Sequence, residues 1–290
     1  MPTSNISQPD WLKQYDTLDV NIENHIAHIR LSRPDQLNSM IPAFWHELPN
    51  CVRLIDEHAG ARVIVISSTG KHFSAGMDLS VFTNMGKSYA GEPARRAERL
   101  RRMVLELQDT FNALEEVRIP VLAAVQGGAI GGAVDMLSAC DSRYCTEDAF
   151  FCIKETQLGM TADVGTLQRL PHLLAHGLVR ELAYTGRNMP ATEALAHGFV
   201  NQVFASQNEM LQAVMGIAQQ IAANSPMAVA GCKEMINYTR DHSVEDSLKY
   251  MATWQSGMFQ MPDVQEAMTA SMEKRMPNFE ELHENKYQMK

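Results

Sequence analysis

Between residues 19 and 32 the apolar positions fall at Val20, Ile22, Ile26, Ile29 and Leu31, with polar residues between them and a turn near Glu23-Asn24. This pattern predicts two short strands joined as a hairpin. Residues 42 to 58 predict a helix despite Pro49, and Val63-Ile64-Val65-Ile66 is then a continuous β-branched run of the kind found in strands buried on both faces. A loop follows at residues 67 to 73. Leu100, Met103, Val104, Leu107, Phe111 and Leu114 recur at helical spacing, Pro120 stops that helix, and residues 121 to 125 form another buried strand. A helix is expected from Gly132 to Ala139, followed by short strands at 143 to 145 and 150 to 153. Strands and helices alternate, which predicts an α/β body.

From Asn208 the pattern turns almost wholly helical, with breaks at Ser225-Pro226 and Met261-Pro262. The expected division is a core over residues 1 to 206 that carries the site and a helical region over 207 to 290. This tail holds 11 of the 19 methionines, which fill irregular core or subunit-interface space or line a flexible apolar pocket.

Composition narrows the classes. A length of 290 residues suits one sizeable domain with a helical appendage, and no apolar run approaches the ~20 residues needed to span a bilayer. The net charge of -9 argues against nucleic acid as a partner, so a phosphorylated ligand would need local cations. Arg95 to Arg102 reads as a solvated helix face, and Asp141, Glu147 and Asp148 as solvated acids. The five cysteines, Cys51, Cys140, Cys145, Cys152 and Cys232, include no C-x-x-C and read as reduced, mostly buried thiols. The first residues show no secretory or transit signal and Gln288-Met289-Lys290 is not a peroxisomal address, so a cytoplasmic location is expected. None of the ten histidines forms H-E-x-x-H, and no metal is expected; His25, His28, His46 and His72 read as hydrogen-bonded structural residues.

Two glycine-containing turns, each after a buried strand, carry the candidate chemistry: residues 72–79, HFSAGMDL, and 126–135, QGGAIGGAVD. Glycines allow unusual backbone angles and close approach, and a helix N-terminus adds oriented N–H donors that favour developing negative charge. The second turn lacks the G-x-G-x-x-G order and a Lys-Ser/Thr ending, which disfavours nucleotide phosphate binding.

Together these two segments resemble the oxyanion-hole segments of the crotonase, or enoyl-CoA hydratase/isomerase, superfamily. Arg33-Pro34 with Asn38 and Met40, Ala139-Cys140-Asp141 with Arg143, Gly165 to Pro171 and Thr185-Gly186-Arg187 extend the resemblance, which covers roughly residues 18 to 275. It implies a spiral of ββα units, a C-terminal helical region that forms a trimer or a dimer of trimers, and acyl-CoA thioester substrates with no separate cofactor. It places the oxyanion donors at the backbone N–H groups of Met77 and Gly132, and substrate contacts at Ser74, Ala75, Gly76 and Gly131. Arg33 and Lys71 are candidate cations for the CoA phosphates. Ala133 departs from the family, where a third glycine is common.

Three acids refine the resemblance. In hydratases of the superfamily glutamates occupy the positions of Asp135 and Glu155; here the first is Asp, and a third acid, Asp163, follows. The set resembles the dienoyl-CoA isomerases of fatty acid β-oxidation, which move a 3,5-diene into 2,4 conjugation with the thioester. That reaction needs one carboxyl at carbon 2 and another at carbon 6. Glu155 is assigned to the first and Asp163 to the second, with the reverse order open, while Asp135 tunes the site as a coupled neighbour. The alternatives are a 2-enoyl-CoA hydratase, a monoene isomerase or a non-catalytic CoA- or RNA-binding scaffold.

Overall fold

The computed structural model describes residues 8–81, 91–259 and 261–285. Residues 1–7 and Gln288-Met289-Lys290, which belong to the segments read for targeting signals, lie outside the described residues.

Strands β1 (Leu18–Glu23) and β2 (Ile26–Leu31) form the expected antiparallel hairpin. Its turn sits one residue later, at Asn24 and His25, whose φ angles of 51° and 62° fit the two-residue loop that matches strand twist. The hairpin opens a six-stranded sheet of order β1-β2-β3-β4-β6-β9, with β3 Val63–Ser68, β4 Val121–Val125, β6 Ser142–Thr146 and β9 Gln202–Phe204. All pairings after the first are parallel. A second sheet of order β5-β7-β8 is built from Gly128–Ile130, Phe150–Cys152 and Met189–Pro190. Strand β5 lies inside what the sequence presents as a glycine turn; three residues are too few for a periodic signal.

The α-helices among the described residues include α1 Pro42–Glu57, α2 Pro93–Glu116, α3 Gly132–Ser138, α4 Thr166–Arg169, α5 His176–Thr185, α6 Ala191–Ala196, α7 Gln207–Ala222, α8 Pro226–Thr239, α9 Val244–Met258 and α10 Met261–Glu273. Every residue of β3 and β4 is buried. Ile64 and Ile66 join the main core with α1, while α7 sets Met210, Val214 and Ala218 against Val63, Val65 and Leu122 on the other face. The helical tail therefore begins inside the core, because a parallel sheet needs cover on both faces.

Two buried cations fasten the rest of the tail. Lys233 Nζ donates to Leu114 O (2.8 Å) and Ile119 O (3.0 Å), next to the carbonyl end of α2, and pairs with Asp141 at 3.0 Å. Asp141 also accepts from Val121 N–H (2.7 Å), so it is a structural acid rather than a merely solvated one. Arg62 donates to Ala222 O (2.8 Å), Phe279 O (2.7 Å) and the Glu281 carboxylate. Cys51, Cys140, Cys145 and Cys152 are free and buried, and Cys232 is free and exposed.

Pro49 survives inside α1 through a partner on another helix. Proline has no N–H to donate to the carbonyl four residues back. That carbonyl, on Trp45, instead accepts from the buried Thr110 hydroxyl of α2 at 3.0 Å. Thr110→Val should therefore cost about 1–3 kcal/mol in urea unfolding, the penalty of a buried unpaired carbonyl. In a Pro49→Ala background the same change should cost less, because the restored N–H can pair with Trp45 O.

Candidate active site

The two glycine turns meet through backbone hydrogen bonds. Met40 N–H donates to Gly76 O (2.8 Å), Ala75 N–H to Leu37 O (2.9 Å) and Ile130 N–H to Ser74 O (3.1 Å), so residues 74–77 run between Met40 and β5. Gly76 has φ +79°, and a Cβ there would stand 2.4 Å from Ile130 O; only glycine permits this approach. Gly131, at φ +55°, donates its N–H to Cys152 O (2.8 Å) and delivers the chain into α3. Among the described residues neither the Met77 N–H nor the Gly132 N–H has a protein acceptor. Both residues line one cleft, and a Cβ built on Gly132 would lie 3.9 Å from the Met77 nitrogen. Two open donors thus border one another.

The three acids line the same cleft. Asp135, one turn into α3, is fully buried; its Oδ1 accepts Thr166 N–H at 2.6 Å and its Oδ2 has no partner among the described residues. Burial pushes its pKa up to about 6 against the opposing pull of Thr166. Glu155 opens the short 3₁₀ turn Glu155–Leu158, with Oε2 buried and without a partner among the described residues. Burial first, then the charge of Asp135, lifts it to about 7, with Asp163 adding to the effect. Asp163 lies on an irregular loop, and desolvation by the cleft wall raises its pKa as well. A Cβ built on Gly131 would stand 3.1 Å from Glu155 Oε1, so this carboxyl sits beside the Gly132 donor.

The cleft measures about 1880 Å³, above the ~300–1,000 Å³ common for small ligands, and Trp45, Met103, Val104, Leu107 and Val164 give it an apolar wall. Ala75 and Gly131 line it, whereas Ser74 and Gly76 stand behind the surface. The fully buried Ser74 hydroxyl donates to Asn38 O (2.8 Å) and accepts Gly76 N–H (3.1 Å), fixing the turn from within. Arg33 and Lys71 are also outside the lining; Arg33 Nη1 donates to Ser39 O (2.7 Å) and Lys71 is exposed. Of the four histidines read as structural, His28 pairs with Ser67 (2.7 Å), His72 Nδ1 accepts Gly128 N–H (2.9 Å), His25 faces Glu281 at 3.2 Å and His46 lines the cleft. Two contributors carry no local signal in the sequence. Thr166 matters through its N–H and its side chain, which both bond Asp135, and four of the six residues of the α2 apolar stripe, Leu100, Met103, Val104 and Leu107, line the cleft.

The profile of the enoyl-CoA hydratase/isomerase family matches residues 21–283. The chain belongs to this family. It is 45% identical over 264 residues, 90% of this chain and 81% of the relative, to the mitochondrial Delta(3,5)-Delta(2,4)-dienoyl-CoA isomerase of Mus musculus. It is 40% identical to the peroxisomal enzyme of that name from Arabidopsis thaliana, covering 93% of this chain and 99% of the relative. The crystal structure of an enoyl-CoA hydratase from Bacillus anthracis superposes with a TM-score of 0.81 at 31% identity, covering 93% of this chain and all of that one. The spiral crotonase fold follows. The expected cytoplasmic location is overturned, since these isomerase relatives are named mitochondrial and peroxisomal.

The family site is held at a cost to stability. Glu155 keeps its proton to about pH 7 when folded, against an ordinary value of 4.5, so between those limits the folded state binds more protons than the unfolded one. Stability from this group is therefore present below the unfolded value and declines as pH rises through that window. Glu155→Gln should be more stable than the unaltered protein at pH 8 by about 1–2 kcal/mol, allowing for screening by the open cleft, and the gap should close toward pH 4.5 in thermal melts.

Proposed function

We propose that this protein isomerises 3,5-dienoyl-CoA to 2,4-dienoyl-CoA in fatty acid β-oxidation, with the thioester oxygen held by Met77 N–H and Gly132 N–H. The observation that carries this reading is the convergence of three carboxyls on one cleft beside two backbone donors without a partner among the described residues. A hydrogen-bonded oxyanion makes carbon 2 acidic, and each such donor is worth ~2.7–4 kcal/mol of barrier. Glu155 takes the carbon 2 proton, because it stands beside Gly131 and carbon 2 is one bond from the thioester carbon. The electron pair spreads along the diene, carbon 6 receives a proton from Asp163, and the double bonds move from 3,5 to 2,4. Glu155 ends protonated and Asp163 ionised, and exchange with solvent restores both.

The chemistry is redox-neutral and transfers only protons within one molecule, so CoA enters as part of the substrate and no further cofactor is drawn in. Burial, and then the charge of neighbouring acids at Asp135 and Glu155, raises the carboxyl pKa values, which supports it, since the set must carry a proton when the substrate arrives. Hydration would instead ask Asp135 to manage a water with Glu155. Asp135 is fully buried and already holds Thr166 N–H, which suits a tuning group better.

The same reading makes the outer face of the tail a subunit interface in a trimer or dimer of trimers. Ile236, Val244, Leu248, Phe259, Met268 and Met272 are exposed in the single chain, more apolar surface than a soluble monomer ordinarily shows in one region. Light scattering at micromolar concentration should give a trimer or hexamer, and a monomer would remove this part of the proposal.

Turnover of 3,5-dienoyl-CoA, followed by the conjugated chromophore, should fall by ~10² to 10⁴ in Asp163→Asn and in Glu155→Gln, and less in Asp135→Asn. Full isomerisation by Asp163→Asn, or wild-type hydration of 2-enoyl-CoA outpacing isomerisation, would defeat the assignment.

A further inference from the structure

The carboxyl of Asp163 meets its own backbone N–H but, among the described residues, bonds to no other residue, and its loop, between Gly159 and Gly165, has no regular structure. Its position is therefore set by what grips the backbone. At Asp163 itself the grip comes from α2: Gln108 Nε2 donates to Asp163 O at 2.7 Å. A second tie lies downstream, where Arg169 binds Asn112 Oδ1 (2.7 Å) and Glu115 Oε2 (2.6 Å) and reaches back to Val164 O (3.5 Å). Gln108, Asn112 and Glu115 are spaced four and three residues apart, so they form one stripe of α2.

From this geometry we infer that Gln108 is the positioning residue for the distal proton donor, acting through the Asp163 backbone without touching substrate. This rests on the isomerase reading above. Gln108 is absent from the cleft lining, whereas Leu107 and Met103 on the neighbouring stripe are part of it. One helix thus serves as the wall for the acyl chain and as the strut for the group that must meet carbon 6. Glu155 is placed independently, by β7 and the turn that follows it: Gly131 N–H binds Cys152 O (2.8 Å) and Met160 N–H binds Glu155 O (3.0 Å). Loss of the Gln108 contact should let Asp163 drift while carbon 2 chemistry continues.

The test uses Gln108→Met, which keeps the side-chain length and removes the donor. Two readouts separate the halves of the reaction: isomerisation of 3,5-dienoyl-CoA, and exchange of the carbon 2 protons of octanoyl-CoA in D₂O, which needs the oxyanion donors and Glu155 but no donor at carbon 6. Isomerisation kcat should fall about 10- to 100-fold, the scale of an ångström-level misplacement, with KM and the exchange rate within about twofold of the unaltered protein. The exchange rate also serves as the control for folding. An equal fall in both rates would overturn the inference by showing general damage, and so would unchanged isomerisation. If the unaltered protein exchanges octanoyl-CoA protons but isomerises no dienoyl-CoA, the isomerase reading fails instead.

Discussion

The site depends on the contact between Gly76 and the Ile130 carbonyl, where two backbone segments approach more closely than any side chain would allow. The contact brings the Met77 and Gly132 nitrogens to one edge of the cleft, where their hydrogens have no partner among the described residues. Unpaired donors at a helix start cost little where water can reach them and become strong partners for a developing oxyanion once substrate displaces that water. The bridges at Met40–Met77 and Ser74–Ala129, and the buried Ser74 hydroxyl, hold this approach. The second sheet and the start of α1 are in effect its frame.

Around that frame the protein concentrates negative charge where solvent is scarce. Among the described residues Asp135 and Glu155 each keep one carboxylate oxygen buried and unpartnered, and both pKa values rise because burial, and after it the charge of a neighbouring acid, act in the same direction. Of the three acids, Thr166 relieves Asp135 alone. This arrangement is unfavourable for the folded state and suits proton transfer, since groups poised near neutrality can both accept and release a proton.

Stability is recovered elsewhere. Arg62 and Lys233, both buried, tie carbonyls from distant parts of the chain and fasten the helical tail to the sheet, and the carbonyl released by Pro49 is taken by Thr110. Helix α2 joins these tasks. It packs on α1 through Thr110 and Phe111, walls the cleft through Met103 and Leu107, and reaches the Asp163 loop through Gln108.

The sequence alone determined the hairpin, the two buried strands, the long helices and the family, because apolar periodicity and backbone-specific motifs are local properties. Glycine at positions 76, 131 and 132, and acids at 135, 155 and 163, were legible because each motif tolerates few residue types. Tertiary structure decided what depends on distance. Ser74 and Gly76 stand behind the cleft surface, Asp141 became a partner of Lys233, and α7 joined the core, none of which spacing can express. The resemblance already set Glu155 at carbon 2 and Asp163 at carbon 6; distance adds only that Glu155 lies beside Gly131 and Asp163 on its own loop, relations not encoded in their separation along the chain.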